Sequence, residues 1–381
     1  MSVSQGKRSN PSCRFDIKQL CVVPPPYGGV TVHVSRLMYN LTKAGLLVGA
    51  YYSEDNDDPM IKTSPLFDKL QWDGNVSPIR KAFRHIERLF TICRQCSRYK
   101  VVHSHSGLED MLLIWLLRRV CGKKVIITVH NAMTEEYYGV MPSLNRFFLK
   151  KNADSDIRWI AVSQQAKENL LRLPLNFRNE IEVIPAYIPG TLNLSKPLPL
   201  VIEQYISSHS KIIAFYGHSF MLHNGQDVYG FTAAIDLYER LLQEGRDDVG
   251  MVLCIQEISD TEKVKELHDY ARNHHVDDRI CWQEGPLDNM LCLWHRTDVY
   301  VRPTSTDGDS VAVREILDMG ARVVASDVCP RPQGVCVYRF GNDEDFYHKT
   351  ISSLDMDRNG MSQNFEYYRK LKAIYDDCLS N

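Results

Sequence analysis

The segment TDGDSVAVRE, residues 306–315, holds three acidic side chains and one arginine within ten residues. A β-rich run precedes it and a helical pattern of apolar residues runs through its second half, which predicts a strand-to-helix loop. Asp307 lies in the loop, and either Asp309 or Ser310 is placed to cap the helix. Glu315 follows five residues after Ser310, about 7.5 Å along the helix axis at about 1.5 Å per residue.

Two carboxylates that flank a helix N-terminus suit a ligand that has hydroxyls at both ends and phosphates between them. The free N–H groups at the start of a helix attract anions. Carboxylates accept paired hydrogen bonds from vicinal hydroxyls, as an acidic residue does on ribose in dinucleotide-binding folds. A nucleotide sugar has this arrangement of groups. A metal pair formed by Asp307 and Asp309 is the alternative interpretation at this point.

Three histidines follow neighbouring predicted strands in the first half of the chain. His103 and His105 lie in VVHSHSG, and His130 ends the run IITVH. The carboxyl ends of parallel strands share one edge of a sheet, so these imidazoles are expected to lie near a polar ligand, with His130 the best candidate. No carboxylate or cysteine is spaced to complete a zinc site with them, and no metal site is predicted.

Gly28 and Gly29 open a helix directly after the first predicted strand, in PPPYGGVTVHV. Two glycines let the backbone approach a ligand, and the free N–H groups of the helix attract anions. A tight turn that only requires glycine is the alternative. The pattern is not GxGxxG, so it does not predict a dinucleotide site. Ser163 lacks the flanking glycines of a nucleophile elbow and is predicted to cap a helix.

The cysteines and the N-terminal sequence favour a cytoplasmic protein. Eleven cysteines are scattered along the chain, which is typical of free thiols in a reducing compartment. Cys93 and Cys96 form a close pair without a second pair nearby, so they do not predict a metal or redox site. The first residues lack the apolar core of a signal peptide, and no apolar run reaches the roughly 18 residues of a membrane span.

Short β-rich runs alternate with helical patterns along the whole chain. The runs are Leu20–Val23, Leu46–Tyr52, Val101–Ser104, Val125–His130, Trp159–Val162, Ile181–Ile184, Lys211–Gly217, Met251–Ile255, Arg279–Gln283, Val299–Pro303, Arg322–Ser326 and Val335–Tyr338. Such alternation predicts parallel sheets with right-handed crossovers. A proline-rich segment, VIPAYIPGTLNLSKPLPL, interrupts this alternation and is predicted to be a linker between two domains. Ligands in these sheets bind beyond the carboxyl ends of the strands.

The alternation predicts an α/β protein with two doubly wound, Rossmann-like domains that face a cleft. Residues 1–190 form the N-terminal domain and residues 191–360 form the C-terminal domain. Residues 361–381 form a C-terminal helix that packs back on the N-terminal domain. A chain of 381 residues is expected to form at least two domains, because a single hydrophobic core rarely grows beyond about 300 residues.

The two halves of the chain carry opposite charge. Residues 1–190 hold 26 Lys and Arg against 17 Asp and Glu, whereas the remainder holds 19 against 30. A basic half can face an anionic surface. Nucleic acid is not predicted as a partner, because no nucleic-acid module is present and the other half is acidic.

Residues 80–100 carry seven Lys and Arg side chains. Four apolar residues lie among them at helical spacing, namely Phe83, Ile86, Phe90 and Cys93. Residues 144–151, LNRFFLKK, add aromatic side chains beside further charge. Basic amphipathic helices lie on anionic lipid, so these segments predict peripheral contact with the inner face of the cell membrane. A helix that buries its apolar face within the domain is the alternative.

In these motifs and their order, the sequence resembles the family-four retaining glycosyltransferases of the GT-B fold. Their mark is an acidic residue, seven further residues and then a glutamate, at a strand-to-helix turn of the C-terminal domain. Asp307 and Glu315 match this spacing, with aspartate in place of the usual first glutamate. The segment RPTSTDGDSVAVREILDMGARVVASDVCPRPQG is most similar to the branch that builds bacterial surface polysaccharides. The segments PPPYGGVTVHVSRL, VVHSHS, TVHN, AVSQQAK and VIPAYIP also resemble that branch, in the expected order.

The resemblance implies an activity. A sugar would move from a nucleotide-sugar donor, a UDP-sugar by family habit, to a lipid-linked or polysaccharide acceptor in capsule, O-antigen or exopolysaccharide synthesis. The anomeric configuration would be retained, and no metal or other cofactor would be required. A non-catalytic GT-B subunit that supports a partner transferase is the first alternative. A phosphorylase with a lysine-bound pyridoxal cofactor shares the architecture, but no lysine follows a strand at a convincing place.

The resemblance also implies roles for single residues. Glu315 would hold the nucleotide ribose and His130 would contact the donor sugar. Asp307 and the backbone after it would hold the sugar and diphosphate, through Gly308, Asp309, Ser310 and Val311. Gly28 and Gly29 would close over the phosphates or the acceptor, and His103 and His105 would lie on the acceptor side.

One departure from the family concerns the diphosphate. The family carries an arginine just after the first strand of the C-terminal domain and a lysine a few residues later. His218 and Asn224 stand at those places here. Arg302, at the end of the strand before the TDGDSVAVRE loop, and Arg314 are candidates to offset the phosphate charge in their place, with ordinary cap or surface positions as the alternative.

Overall fold

A computed structural model of the protein describes residues 14–25, 28–70, 78–130, 133–223, 225–307 and 310–380, with only the backbone described for residues 78–84. The chain divides into two compact units. Unit 1 comprises Met1–Ile188 together with Phe365–Asn381, and unit 2 comprises Pro189–Asn364.

Unit 1 contains a sheet of seven strands in the order β3-β2-β1-β4-β5-β6-β7, and every neighbouring pair is parallel. The strands are β1 (Phe15–Val23), β2 (Val48–Tyr52), β3 (Asp68–Lys69), β4 (Tyr99–Ser104), β5 (Lys124–Val129), β6 (Arg158–Ala161) and β7 (Glu182–Val183). The helices of this part of the chain are α1 (Gly29–Lys43), α2 (Pro59–Thr63), α3 (Pro78–Cys96), α4 (Met111–Arg119), α5 (Thr134–Val140), α6 (Ser143–Ala153) and α7 (Gln164–Leu171). The strand β5 is apolar along most of its length because helices cover both faces of a parallel sheet, whereas the central strands β1 and β4 also bury the polar side chains Lys18, Gln19 and His103.

Unit 2 contains a parallel sheet of six strands in the order β12-β11-β8-β13-β14-β15. Its strands are β8 (Lys211–Gly217), β11 (Val249–Ile255), β12 (Ile280–Glu284), β13 (Val299–Arg302), β14 (Arg322–Ser326) and β15 (Val335–Tyr338), and a separate hairpin pairs β9 (Leu222–His223) with β10 (Gln226–Asp227). The helices are α8 (Leu200–Ser207), α9 (Phe231–Gln243), α10 (Thr261–Asn273), α11 (Met290–Arg296), α12 (Val311–Asp318) and α13 (Asp343–Leu354).

The prediction of two doubly wound parallel sheets is confirmed. Each of the twelve predicted β-rich runs overlaps a strand, because buried parallel strands are short apolar runs that stand out in a sequence. The short strands Asp68–Lys69, Leu222–His223 and Gln226–Asp227 were not predicted. They carry no apolar run and form only through pairing with neighbouring chain.

The chain ends with α14 (Glu366–Ser380), which packs within unit 1. Leu371, Ile374 and Tyr375 are buried in the same core as residues of β1, β4 and β5. The Tyr375 hydroxyl contacts His103 Nδ1 at 2.5 Å and accepts a hydrogen bond from Gln19 Nε2 at 3.1 Å. This helix therefore helps to position the polar side chains at the centre of the unit 1 sheet.

Both sheets reverse direction at their first strand, between β1 and β4 in unit 1 and between β8 and β13 in unit 2. In doubly wound sheets, the crevice for ligands lies beyond the carboxyl ends of the strands at this switch point. The residues that follow β1 and β4, and those that follow β8 and β13, are therefore where functional side chains are expected. None of the described helices is both long and apolar enough to cross a bilayer.

Candidate functional site

In unit 2, the loop after β13 leads into α12, and Ser310 caps that helix. The Ser310 backbone is extended, and its hydroxyl accepts a hydrogen bond from the backbone N–H of Val313 at 3.5 Å. Of the two predicted caps, Ser310 is therefore the one that the structure uses. Gly308 and Asp309 lie outside the described residues, while Val311 is the first residue of the helix.

Asp307 lies between two arginines. Arg302 Nε donates to Asp307 Oδ2 at 3.1 Å and Arg302 Nη2 donates to Oδ1 at 3.2 Å, which is a bidentate pair. Arg331 Nη1 donates to the same Oδ2 at 2.7 Å. All three side chains are buried, with 8 % or less of each exposed. Two buried cations thus share one buried anion, and these three groups together carry one net positive charge.

The surrounding loops hold this cluster in place. Arg331 Nε donates to the backbone oxygen of Ser326, the last residue of β14, at 2.9 Å. Arg302 Nη1 donates to the backbone oxygen of Tyr216 in β8 at 3.2 Å. Because β8, β13 and β14 are neighbours in the sheet, both guanidinium groups are fixed at its carboxyl edge. Arginine suits this role because its planar group donates several hydrogen bonds in a fixed geometry.

Asp307 stays ionised in this setting. Burial by itself raises the pKa of its carboxyl group, but the charges and hydrogen bonds of Arg302 and Arg331 outweigh burial and hold the pKa below its ordinary value. An ionised Asp307 leaves the cluster with its excess of one positive charge at neutral pH. The cluster lies at the β13–α12 loop, near the helix N-terminus, whose free N–H groups also favour an anion.

Glu315 is buried on α12 and is held by a tryptophan from the preceding helix. The Trp294 indole N–H donates to Glu315 Oε2 at 3.1 Å, and only 7 % of Glu315 is exposed. Trp294 belongs to the apolar core beneath α11 and α12. A buried carboxylate is costly without hydrogen-bond partners, and the indole N–H of Trp294 is one such partner.

The other residues predicted near the diphosphate are placed differently. His218 follows β8 and is exposed, and its backbone oxygen accepts from the N–H of Glu257 at 2.7 Å. Asn224 lies outside the described residues. Arg314 is half-buried on α12, next to Glu315. Of the two arginines that were considered, Arg302 is the one within the cluster at Asp307.

In unit 1, Gly28 and Gly29 begin α1 at the carboxyl end of β1. The Gly28 backbone N–H donates to Thr31 Oγ1 at 2.9 Å and Gly28 is extended, with φ at −163°. A Cβ atom at Gly28 would touch only Thr31, at 3.9 Å, and one at Gly29 would meet nothing within 4 Å. Contacts with the described residues therefore do not require glycine at these two positions.

A cluster of histidines lies at the switch point of the same sheet. His105 Nδ1 lies 3.0 Å from His130 Nε2, and His105 Nε2 lies 2.8 Å from Gln19 Oε1. His33, from α1, completes a triangle in which the ring centroids are 5.3–5.6 Å apart. One nitrogen from each of these three rings lies within 4.8 Å of the others.

Burial keeps these imidazoles neutral. The pKa of His33 is lowered to about 4, mainly by burial and partly offset by the contact with the Ala186 carbonyl, and the pKa of His130 is lowered to about 3, mainly by burial and to a smaller extent by the neighbouring His33. The pKa values of His103 and His105 also lie well below the ordinary value, first because of burial and then because of the neighbouring imidazoles. All four rings are thus uncharged at neutral pH and act as hydrogen-bonding groups or ligands.

His103 does not have the predicted position on the acceptor side. Its side chain is fully buried, and its ring nitrogens contact the Tyr375 hydroxyl at 2.5 Å and Thr128 Oγ1 at 2.7 Å. Because the His103 side chain is fully buried and both of its ring nitrogens are hydrogen-bonded, it contributes to the packing beneath the other histidines. His105 is 6 % exposed and His130 is half-buried, so of the three predicted histidines His130 is the most accessible.

Three residues of these sites were missed from the sequence. Arg331 follows β14 in the same way that the loop residues follow β13, so the strand-end rule could have indicated it. His33 lies one helical turn after Gly29, on the face of α1 that the apolar spacing marks as buried. No pattern in the sequence pairs Trp294 with Glu315, because their contact depends on how α11 packs on α12.

Comparison with known proteins gives one family match. Residues 27–189 match the model of Glycosyltransferase Family 4, which covers most of unit 1. Comparison with curated proteins gives no significant match.

Solved structures that are similar to this chain include two described as glycosyltransferases and one solved with UDP and glucose. The glycosyltransferase from Rickettsia africae ESF-5 superposes with a TM-score of 0.67 at 16 % identity, covering 96 % of this chain and 99 % of that one. HepE from Anabaena, solved in complex with UDP and glucose, has a TM-score of 0.65 at 12 % identity and covers 96 % of both chains. WaaG, a glycosyltransferase involved in lipopolysaccharide biosynthesis, has a TM-score of 0.60 at 13 % identity, covering 95 % of this chain and 94 % of that one.

Proposed function

We propose that this GT-B glycosyltransferase, whose residues 27–189 match Glycosyltransferase Family 4, moves a sugar from a nucleotide-sugar donor to a lipid-linked or polysaccharide acceptor with retention of the anomeric configuration. The acceptor belongs to bacterial surface polysaccharide synthesis, such as capsule, O-antigen or exopolysaccharide. The donor binds in unit 2, at the carboxyl ends of β8, β13 and β14.

The observation that carries the proposal is the cluster of Arg302, Asp307 and Arg331. Its excess positive charge lies at the β13–α12 loop, where the start of α12 offers free N–H groups. Together they suit the diphosphate of a nucleotide sugar and replace the missing arginine and lysine of the family. Asp307 has the role of a positioning residue that aligns both guanidinium groups, and Glu315 accepts the ribose hydroxyls.

Transfer in this site needs no nucleophile from the protein. The acceptor hydroxyl oxygen forms a bond to the anomeric carbon while the bond from that carbon to the diphosphate oxygen breaks, on the same face of the sugar. The departing diphosphate takes the electron pair of the broken bond and accepts the proton of the hydroxyl. The arginines and the helix N-terminus stabilise the negative charge that grows on the diphosphate. Positioning and electrostatics then provide catalysis, without a bound metal.

Two similar structures support the choice of substrates. HepE was solved with UDP and glucose, which favours UDP as the nucleotide. WaaG acts in lipopolysaccharide biosynthesis, which favours a lipid-linked acceptor in surface polysaccharide synthesis. The half-buried His130 of unit 1 is proposed to hydrogen-bond a substrate hydroxyl through Nε2, in place of its contact with His105 Nδ1, and the N-terminus of α1 at Gly28 and Gly29 is proposed to face the acceptor.

A screen of nucleotide sugars tests this proposal. Full-length protein is incubated with UDP-, GDP-, ADP- and dTDP-sugars in the presence of EDTA, and release of free nucleotide is measured. We expect slow hydrolysis of one UDP-sugar, and faster release when a lipid-linked glycan acceptor is added. NMR of the product anomeric proton then reports whether the configuration is retained.

Each alternative predicts a different result in the same assay. Tight UDP binding without hydrolysis or transfer of any donor would instead support a non-catalytic subunit. Activity that disappears in EDTA and returns with added Mg²⁺ would contradict metal independence. Absorbance from a bound pyridoxal group in the purified protein would support a phosphorylase.

We also propose that unit 1 contacts an anionic membrane through α3 and α6. Ile86 and Phe90 on α3 are 63 % and 71 % exposed, so they do not pack into the domain, and Leu144 and Phe147 on α6 are 61 % and 54 % exposed. The buried face of α3 is instead formed by other residues, namely Leu89, Ile92, Cys93 and Cys96. Exposed aromatic and aliphatic side chains among basic residues favour insertion into anionic lipid.

A double substitution tests this surface. Ile86→Ser with Phe90→Ser is expected to weaken binding to phosphatidylcholine vesicles that contain phosphatidylglycerol by at least about tenfold, because burying each apolar side chain contributes about 1.5–3 kcal/mol. Vesicle sedimentation measures the bound fraction. The matched control is Leu200→Ser with Val201→Ser, which removes two equally exposed apolar side chains of unit 2. Equal binding by both double variants would contradict the proposal.

A further inference from the structure

The histidine cluster of unit 1 contains a buried nitrogen to which the described residues offer no hydrogen bond. His33 is only 3 % exposed, and its Nε2 makes no hydrogen bond to any described residue. A buried polar atom without a partner costs about 1–3 kcal/mol. One ring nitrogen from each of His33, His105 and His130 lies within 4.8 Å of the other two, and Nε2 is the His33 nitrogen that is not already engaged by Ala186.

The hydrogen bonds around the cluster determine where the protons lie. His33 Nδ1 is 2.5 Å from the backbone oxygen of Ala186, and a carbonyl oxygen only accepts, so Nδ1 carries the proton. His105 Nε2 likewise donates to Gln19 Oε1 at 2.8 Å. A neutral imidazole carries one proton. His33 Nε2 and His105 Nδ1 therefore each carry a lone pair. His130 Nε2 carries a proton and donates it to His105 Nδ1 at 3.0 Å.

These three nitrogens have the properties of a preformed transition-metal site. Metal-bound histidines donate their second N–H to an acceptor that fixes the ring, as Ala186 and Gln19 do here for His33 and His105. Gln19 is itself held by the Tyr375 hydroxyl, to which its Nε2 donates at 3.1 Å. The imidazoles are neutral, so few protons need to be displaced before a cation can bind.

We propose that His33 Nε2, His105 Nδ1 and His130 Nε2 bind a zinc ion in unit 1. Three imidazoles and one open position for water are a known zinc ligand set, whereas Mg²⁺ and Ca²⁺ prefer oxygen ligands. Zinc coordinates the lone pair of His33 Nε2, which accepts no hydrogen bond from a described residue. His130 changes tautomer on binding: Nε2 loses its proton to solvent and Nδ1 gains one, so the ring stays neutral and Nε2 becomes the third ligand.

The geometry requires a small adjustment. Zinc–nitrogen bonds of about 2.0–2.1 Å place tetrahedral ligand nitrogens about 3.3 Å apart. The pair formed by His105 and His130 is already 3.0 Å apart, and no pair within the group exceeds 4.8 Å. Small rotations of the His33 and His130 rings close the remaining gap, while the contact with Gln19 holds His105.

Zinc binding has a consequence that depends on the proposed function. When His130 Nε2 is bound to zinc, it cannot hydrogen-bond a substrate hydroxyl. The glycosyl transfer proposed above therefore needs no metal and is inhibited by zinc at this site. One equivalent of Zn²⁺ is expected to reduce transfer at least about tenfold, and EDTA is expected to restore it.

Metal binding is tested without any sugar substrate. Full-length protein is stripped of metal with a chelator, and Co²⁺ is added while its visible absorption is measured. We expect saturation at one Co²⁺ per chain with the intense spectrum of a four-coordinate ion, displacement by Zn²⁺, and no displacement by Mg²⁺. His33→Gln is expected to raise the Kd for Zn²⁺ at least about 100-fold, because it removes a ligand. Gln19→Leu is expected to raise the Kd about 10- to 100-fold, because Gln19 accepts from the second N–H of His105 and loss of such an acceptor weakens metal affinity by about that factor.

The control is His85→Gln, which removes an exposed histidine of the same unit and should leave the Kd for Zn²⁺ unchanged. Far-UV circular dichroism verifies that each variant is folded, and His130→Gln provides the same test if His33→Gln does not fold. A protein that does not bind Co²⁺ saturably, or a folded ligand variant with the original Kd, would overturn the site. The Co²⁺ titration contains no sugar donor, so it tests the metal site even if the protein has no transferase activity. Failure of the proposed transferase function would appear only in the nucleotide-sugar screen.

Discussion

Glu315→Ala is expected to lower kcat/KM for transfer about 100- to 1,000-fold. The proposed hydrogen bonds from ribose hydroxyls to an ionised carboxylate contribute about 1.5–3 kcal/mol each, and each 1.36 kcal/mol is a tenfold change in rate. The Kd for UDP should rise in parallel, because the ribose remains bound throughout the reaction. Initial rates with the donor found in the nucleotide-sugar screen measure the first effect, and calorimetric titration with UDP measures the second.

The matched variants separate charge from folding. Glu315→Gln keeps an oxygen that can accept from Trp294 at the observed 3.1 Å contact but loses the charge, so we expect an intermediate loss of about tenfold. Glu262→Ala removes an exposed glutamate from α10 and should change neither rate nor affinity. Wild-type turnover by folded Glu315→Ala would remove this residue from the donor site.

Asp307→Ala is expected to lower the free energy of unfolding of unit 2 by about 3–5 kcal/mol. It leaves Arg302 and Arg331 buried near each other, without their shared anion, and an uncompensated buried charge costs about that much. Urea denaturation, followed by circular dichroism, measures the change. A nucleotide diphosphate supplies the missing negative charge, so saturating UDP should stabilise this variant more than it stabilises the wild type.

A double-mutant cycle isolates the charge pair. Combining Asp307→Ala with Arg331→Leu removes one anion and one cation, and the loss of stability should then be smaller than the sum of the two single losses by about 1–3 kcal/mol. The control is Glu344→Ala, because the pair of Glu344 with Arg240 is exposed and such pairs contribute about 0–1 kcal/mol. Additive losses at Asp307 and Arg331 would show that the two side chains are not energetically coupled.

The cluster at Asp307 differs from the arrangement that the family resemblance implied. In that resemblance Asp307 holds the donor directly, while a separate arginine and lysine bind the diphosphate. Here the carboxylate accepts from both arginines, and His218 and Asn224 stand at the family's cationic positions. The buried arginines of this chain lie at the ends of β13 and β14, and not in the loop after β8, where the family resemblance led us to expect a cation.

The elements that position the site could be predicted because they depend on local patterns. Buried parallel strands such as Lys211–Gly217 and Arg322–Ser326 are apolar runs of four to eight residues, and both agree with the structure at each end. The alternation of strand and helix then fixes the doubly wound topology. Ligands in such sheets bind beyond the carboxyl ends of the strands, which is why Asp307 and His130 were chosen as candidates.

The amino-acid sequence by itself determined the fold class, the place of the loops and the acidic pair eight residues apart, because each depends on spacing along one element. Only the tertiary structure decided which side chains meet. Arg331 reaches Asp307 across 24 residues, and His33 on α1 joins His105 and His130, which follow β4 and β5. Those contacts follow from strand order and helix packing, which bring distant residues within hydrogen-bonding range and leave no periodic trace in the chain. The charge balance at Asp307 and the convergence of three imidazoles are therefore properties of the folded protein.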